Sequence, residues 1–363
     1  MSTPAAIVDA LDYVRSRSQV DVDSLDVQVS IEYGPFSDCT SNQIDAYYTL
    51  CKPEHSPLLK RATVLSQQFK AEYPSVTREE LTFEIASILV GFLVVPKITG
   101  HLLIMANPLY SYSTAKIIET GQRIAQLCKR LDSHFDLSRL CIKVPATWEG
   151  LQACRKLKDM GIATLATTMF CMEQAVLAAE VGCIYMSPFC HELKAILDST
   201  YQDTDTAFGL CVQAQRYFEQ YGYSARVKAA GMISAAEVLK LTGVAAMTVA
   251  PDILQELRSL KNTKAELDSQ SLFQDELSMK KDYPIMERES FADDEVSYRT
   301  AFSLRNEGKG HLKTIQAINI FCDFQRNAEV MIKALDSATV ENVPATIDHK
   351  VSNTVIHSEQ VTA

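Results

Sequence analysis

The sequence predicts an α/β fold, a (β/α)8 TIM barrel with extra N-terminal and C-terminal helices. Eight short strand-like segments alternate with longer amphipathic helical ones, and regular strand–helix repetition implies a parallel sheet that eight units can close. At 363 residues the chain is long for one core unless that core is a barrel or a large α/β sheet. An open doubly wound sheet is the rival architecture, but no Gly-x-Gly-x-x-Gly follows the first strand to mark a dinucleotide site.

The expected strands are Gln19 to Asp23, Ser37 to Thr40, His101 to Asn107, Leu140 to Val144, Thr164 to Phe170, Ile184 to Phe189, Arg226 to Ala230 and Ala246 to Ala250. Helical periodicity marks Ala115 to Leu131, Trp148 to Met160, Met172 to Val181, Thr206 to Tyr221 and Ala235 to Leu241. A long helical region, Gln43 to Val95, follows the second strand in place of one tight helix. Beyond Leu257 the chain turns charged and broken through about Arg299, which suggests exposed short helices and loops. Asn319 to Leu335 regains a helical period and is expected to dock on the barrel, giving one domain over residues 1–335. Asp336 to Ala363 is polar, without aromatic residues, and is expected to be a disordered tail.

Composition removes several function classes. With 47% hydrophobic and 22% charged residues the chain is of ordinary globular type, and its formal charge of -10 argues against a general nucleic-acid binder. Its start has no basic region before an apolar core, and the most apolar run, Ile85 to Val95, is too short to span a bilayer. A cytoplasmic protein is the expectation, with no membrane and no nucleic acid as partner. Ten cysteines lie scattered without a Cys-x-x-Cys pair, which suits reduced, packed thiols. Cys39 and Cys190 adjoin candidate site residues, and packing is the role expected of both.

Chemistry in such a barrel belongs where the strands end on their C-terminal side. There the segment Leu140-Cys-Ile-Lys-Val-Pro-Ala-Thr-Trp-Glu-Gly150 interrupts an apolar run with one lysine. Alternation puts Cys141 and Lys143 on one face of the strand, Ile142 and Val144 on the other. A desolvated lysine lowers its pKa and becomes a neutral nucleophile, suited to a Schiff base with a ketone or aldehyde. Taken by themselves, these residues better describe a lysine whose stem packs and whose charge reaches water.

Ile142-Lys-Val-Pro-Ala-Thr-Trp-Glu-Gly150 resembles the strand of the transaldolase family that carries its Schiff-base lysine, an Ile-Lys pair before Ser/Thr-Thr-Trp-x-Gly. Further stretches follow in the family's order from about Val20 to about Leu257, and the resemblance independently implies a barrel. It implies Lys143 as nucleophile and Asp23, in Val22-Asp-Ser-Leu-Asp26, as the carboxylate assisting proton transfer at the hydroxyl beside the breaking bond; Asp26 fits a cap better. Ser37-Asp-Cys-Thr-Ser-Asn-Gln43 resembles the family's Asp-Ala-Thr-Thr-Asn-Pro, so Asn42 would hold substrate hydroxyls, with Thr40 and Ser41 beside it. Thr167, in Leu165-Ala-Thr-Thr-Met-Phe170, falls on the threonine that holds a catalytic water. Ser187 and Phe189 match Ser-Pro-Phe, with Ser187 lining the substrate site, and Thr248-Val-Ala-Pro-Asp252 matches a stretch expected to be structural.

Other positions depart from that pattern. The family's glutamate, which works with the bound water, aligns with Met105; a two-residue shift would bring Asn107 there, with Tyr110 or Tyr112 nearby, and none of these is a carboxylate. An asparagine becomes Leu165. The arginine after Ser-Pro-Phe becomes Cys190-His-Glu192, and Ser-Phe-Arg after the seventh strand becomes Gly231-Met-Ile233. Arg226 and Lys228 are the only nearby cations considered as a substitute anion site, and alternation from Gly231 points them away from the barrel axis.

Three functions follow. The first is a Schiff-base transaldolase moving a dihydroxyacetone unit between sugar phosphates, as in the pentose phosphate pathway. The second is a divergent aldolase or retro-aldolase on an unphosphorylated carbonyl compound, and the third, prompted by Met105 and Leu165, is a non-catalytic barrel scaffold. The enzymatic readings need no cofactor and no metal, and their partner is a small-molecule carbonyl substrate. A homodimer is the assembly expected beside it.

Overall fold

A computed structural model describes residues 7–198, 200–274 and 284–338. Eight parallel strands close into a barrel: β2 (Gln19–Asp23), β3 (Cys39–Thr40), β4 (Leu102–Met105), β5 (Leu140–Pro145), β6 (Ala163–Met169), β7 (Tyr185–Pro188), β8 (Arg226–Ala229) and β9 (Ala246–Val249), with β9 returning to β2. Each expected strand lies within about two residues of an observed one, and the open-sheet rival is excluded by the closure. Outside the barrel, β1 (Ile7–Asp9) pairs antiparallel with β10 (Lys261–Thr263). Three-residue strands carry too few side chains to show a period, so the sequence does not announce this pair.

Alternation along the strands sorts the side chains. Val20, Val22, Ile142, Val144, Val227, Ala229, Met247 and Val249 point outward into the main core beneath the helices. Inward, Leu103, Cys141, Leu165, Tyr185 and Ala246 form a small apolar layer across the barrel. The same parity brings Lys143, Met105 and Thr167 above that layer, at the C-terminal end, and turns Asp21 and Lys228 inward as well, Lys228 in register with Ala246 of the layer itself. Lys228 therefore points into the barrel, against the expectation from Gly231. Gly231 lies past the end of β8 with φ of 71°, where left-handed backbone breaks the two-residue period on which that count relied.

The long region after β3 resolves into Gln43–Cys51, Ser56–Phe69 and Arg78–Val94. Arg78–Val94 is buried on nearly all sides and packs against the helix Thr114–Leu131, which sends Arg123 into the contact. Arg123 Nε meets Glu84 at 2.7 Å and its Nη2 meets Glu80 at 3.2 Å, all three side chains being buried. Burial holds the Glu84 carboxyl up at about 7, with the Arg123 hydrogen bond and charge pulling the other way.

The C-terminal helix runs over Lys309–Ala338, ten residues earlier than its apolar period suggested, because Lys313, Thr314 and Gln316 are polar yet bonded to the barrel rim. It lays Ala317 and Phe321 onto Ile44, Met105, Phe189 and Ala230 across the barrel mouth. The tail expected from Asp336 lies, after Ala338, outside the described residues. No helix among the described residues is long and apolar enough to cross a membrane.

Arg123→Met should lower stability by about 3–5 kcal/mol, since it strands two buried carboxylates. Denaturant melts of the two proteins measure this; a loss below about 1 kcal/mol would mean that the pair contributes nothing beyond packing.

Candidate active site

Lys143 stands on β5, 3% exposed, in register with Met105 on β4 and Leu165 on β6. Its amine makes no hydrogen bond or ion pair with any described residue. Lys228, the other lysine inside the barrel, is placed oppositely: its Nζ lies 2.6 Å from Asp21 Oδ2 and 2.6 Å from Asp38 Oδ2. Asp38 also accepts from the His101 backbone amide at 2.7 Å, and Gln19 donates to both carboxylates. Desolvation works against the Lys228 charge, but the two carboxylates outweigh it and hold its pKa above the ordinary lysine range.

The Lys143 pKa moves the other way. Burial drives it below the usual 10.5; the charges of Asp23 and Asp45 oppose that shift without cancelling it, and the Lys228 charge adds to it. One lysine is therefore fixed as a cation and the other biased toward the free amine.

Asp23 closes β2 opposite Thr40 on β3. Thr40 Oγ1 donates to Asp23 Oδ1 at 2.6 Å, and Thr248 Oγ1 lies 2.6 Å from Thr40 Oγ1. Since Asp23 accepts the Thr40 hydrogen, Thr248 must donate to Thr40, giving a relay that orients the carboxyl. Thr248, expected to be structural, therefore acts on the site through Thr40. Ser41 donates to the Leu103 carbonyl at 3.0 Å, which anchors the loop and turns its hydroxyl away from the mouth.

Asn42 caps the helix Gln43–Cys51, its Oδ1 accepting from the Ile44 and Asp45 amides, while its Nδ2 donates to Asp45 Oδ2 at 2.6 Å. Its Oδ1 and one of its two Nδ2 hydrogens are thus engaged in the cap. Asp45 is a residue the sequence reading missed. A carboxylate in a helix's first turn is so ordinary that nothing in the sequence separates it from a cap.

Thr167 is fully buried on β6 and its Oγ1 has no partner. An orphaned hydroxyl there suits the ordered water that the resemblance assigns to it. The next residue, Thr168, holds φ of 56°, unusual for a β-branched side chain, where the β6–β7 register shifts. Gln174 Nε2 and Thr314 Oγ1 both donate to its carbonyl at 3.1 Å, so the helix Met172–Glu180 and the C-terminal helix clamp the bulge. Neither clamp residue has a sequence signal, since both act on backbone.

Met105 lies beside Lys143 and packs with Ile44, Phe189 and Phe321. Asn107 caps the following turn through its Oδ1, and its buried Nδ2 is unpaired where it borders, with Asn42, Gln43, Met105 and Gln325, a small cavity. Tyr110 bonds Glu80 at 2.8 Å and Tyr112 is exposed, so neither replaces the missing carboxylate. Ser187 is buried on β7 with the inward parity of Tyr185. Phe189 stacks edge-on with Phe170 at 5.9 Å and with Phe321 at 6.3 Å. Cys39 and Cys190 are fully buried with thiol pKa values pushed up by burial, in keeping with packing.

Glu192, which follows Cys190-His where the family places its arginine, is engaged at the rim. It accepts from Tyr201 at 2.8 Å and Gln316 at 2.9 Å, and Lys313 stands 3.8 Å from it. Lys313 in turn lies 3.3 Å from Asp203 and 3.4 Å from Asp205. After β8, Met232 is buried in the outer core and Ile233 is exposed, so no polar side chain enters the mouth from that stretch.

Comparisons with known proteins agree with this geometry. A family described as transaldolase/fructose-6-phosphate aldolase matches residues 19–302. A transaldolase of Protochlamydia amoebophila is 27% identical over 270 residues, 71% of this chain and 81% of its own. One from Hamiltonella defensa is 28% identical over 266 residues, covering 71% and 81%, and one from Methylobacillus flagellatus is 24% identical over 258, covering 70% and 80%. With a closed eight-stranded barrel and a family match across most of its length, the chain belongs to the transaldolase/fructose-6-phosphate aldolase family.

Proposed function

We propose that the protein is an aldolase-type enzyme that makes and breaks carbon–carbon bonds through a Schiff base on Lys143, acting on an unphosphorylated carbonyl compound. The unpaired, buried amine of Lys143 carries the first half of this reading. A lysine kept as a cation is no nucleophile, and this one has been left without the carboxylate contacts given to Lys228.

The reaction begins with attack of the amine on the carbonyl carbon and loss of water to an iminium. The iminium draws electrons from the adjacent carbon–carbon bond, and Asp23, oriented by Thr40, takes the proton of the departing hydroxyl. An aldehyde leaves, and the enamine on Lys143 accepts a proton or another aldehyde. Thr167 Oγ1 is free to hold the water that returns in hydrolysis.

The substrate class rests on the mouth. Ile44, Met105, Phe189, Ala230, Ala317 and Phe321 form an apolar patch across it, and the side chains of Asn42, Gln43, Asn107 and Gln325 that border Met105 are neutral amides, without the cation that a phosphate would need. The buried cation of this rim, Lys313, already faces three acidic side chains. Dihydroxyacetone transfer between sugar phosphates is what the relatives' name suggests, and the apolar rim favours the unphosphorylated alternative over it. The lysine without partners likewise supports catalysis over the scaffold reading, since a retained unpaired amine is a burden to a mere scaffold.

Two experiments test these halves. Borohydride reduction in the presence of dihydroxyacetone should leave an adduct on Lys143 by peptide mass spectrometry, and incubation with fructose 6-phosphate and erythrose 4-phosphate should give no sedoheptulose 7-phosphate at an enzymatic rate. An adduct elsewhere defeats the first half; rapid formation of the seven-carbon sugar defeats the second.

Lys143→Met should abolish the adduct and raise stability by about 1–3 kcal/mol, because an unpaired polar group leaves the interior. The pH dependence has a definite sign. With its folded pKa below 10.5, Lys143 lets the unfolded chain bind more protons between the two values, so wild-type stability rises with pH through that window. In Lys143→Met that slope should vanish from thermal melts; a variant of lower stability with the slope intact would contradict the assignment.

A further inference from the structure

Schiff-base formation passes through a carbinolamine, whose hydroxyl leaves only when an acid protonates it as the carbon–oxygen bond breaks. At the strand position beside Lys143 stands Met105, which holds no proton. Two carboxyl groups act on the Lys143 amine through their charge, Asp23 from β2 and Asp45 from the first turn of Gln43–Cys51. That turn adjoins the mouth: Ile44 packs on Phe189 and on Met105, the register partner of Lys143. Asn42 Nδ2 fixes the Asp45 carboxyl at 2.6 Å.

We propose that Asp45 is the acid for this step, protonating the carbinolamine hydroxyl of substrate held on Lys143. The inference rests on the Schiff-base reading above. The carbon–oxygen bond breaks, the hydroxyl leaves as water with the proton from Asp45, the nitrogen lone pair forms the carbon–nitrogen double bond, and Asp45 is left as a carboxylate. In hydrolysis the carboxylate takes a proton back from the attacking water.

Asp23 and Asp45 then divide the proton transfers. Asp23, held by the Thr40 hydroxyl, serves the breaking carbon–carbon bond, and Asp45 serves the nitrogen end. Burial first, and then the Asp23 charge, raise the Asp45 pKa well above the carboxylate range, with Lys143 pulling it down. The charged groups that face Asp45 are these two, and the C-terminal helix meets its helix through Phe324 and Met331, with Cys51 the titratable group at that contact. A first-turn carboxylate also stabilises its helix, so loss of the cap must be separated from loss of the acid.

The test is the time course of borohydride-trapped dihydroxyacetone on Lys143, across pH, in wild type, Asp45→Asn and Asp45→Glu. Asp45→Asn should slow adduct formation about 10²-fold at neutral pH while reaching the same final level. Its rate should rise with pH as Lys143 loses its proton, without the fall at higher pH that deprotonation of Asp45 imposes on wild type. Asp45→Glu, which keeps the carboxyl, should restore most of the rate and the fall. Wild-type rate and pH profile in Asp45→Asn would overturn the assignment while leaving Lys143 as nucleophile. Failure of wild type itself to form the adduct would remove the Schiff-base reading and this assignment together.

Discussion

The barrel holds two lysines in one low-dielectric interior and gives carboxylates at bonding distance to only one of them. Asp21 and Asp38 are spent on Lys228, which keeps its charge, while Lys143 is left with carboxylates that act on it only from beyond ion-pair contact. Both effects work in the same direction. The paired cation sits inside the barrel in a satisfied ionic cluster, and its own positive charge makes a second ammonium in the same enclosure harder to sustain. The reactivity proposed for Lys143 is thus a property of the whole barrel filling.

The C-terminal helix sets the other constraint. It seals the mouth with Ala317 and Phe321 and grips the rim through polar contacts: Thr314 on the Thr168 carbonyl, Gln316 on Glu192, and Lys313 among Asp203, Asp205 and Glu192. These contacts pair the Lys313 charge with three acidic side chains. They also hold the left-handed Thr168 in place, and with it the neighbouring Thr167, whose hydroxyl is the unpartnered group nearest in sequence. The geometry of the mouth is in this way tied to one helix outside the barrel repeat.

Much of this was legible in the sequence because strand parity is a strict period. Gln19–Asp23 and Leu140–Val144 read cleanly, since each alternates between an outer aliphatic residue and an inner polar one, and Lys143 follows from that pattern. Lys228 was misread because the count began at Gly231, beyond the strand end, where a positive φ shifts the parity. Asn42 was legible as a site neighbour, but its capping role is a matter of side-chain direction that no motif records. Gln174, Thr248 and Thr314 escaped for the same reason: each works by holding a bulge or another side chain, and such work has no spacing rule, while Asp45 looks like any first-turn carboxylate. The short β1–β10 pair lies below the length at which a period exists.

The most direct measurement is the ionisation of Lys143 itself, followed by nuclear magnetic resonance of protein labelled with 13C at lysine Cε and assigned by comparison with Lys143→Met. The account predicts one lysine signal that titrates below 10.5 and vanishes in the variant, alongside a Lys228 signal that stays protonated through the alkaline range. A Lys143 signal titrating at 10.5 or above would contradict it, because the amine would then be a cation at working pH and the barrel would have no nucleophile to offer.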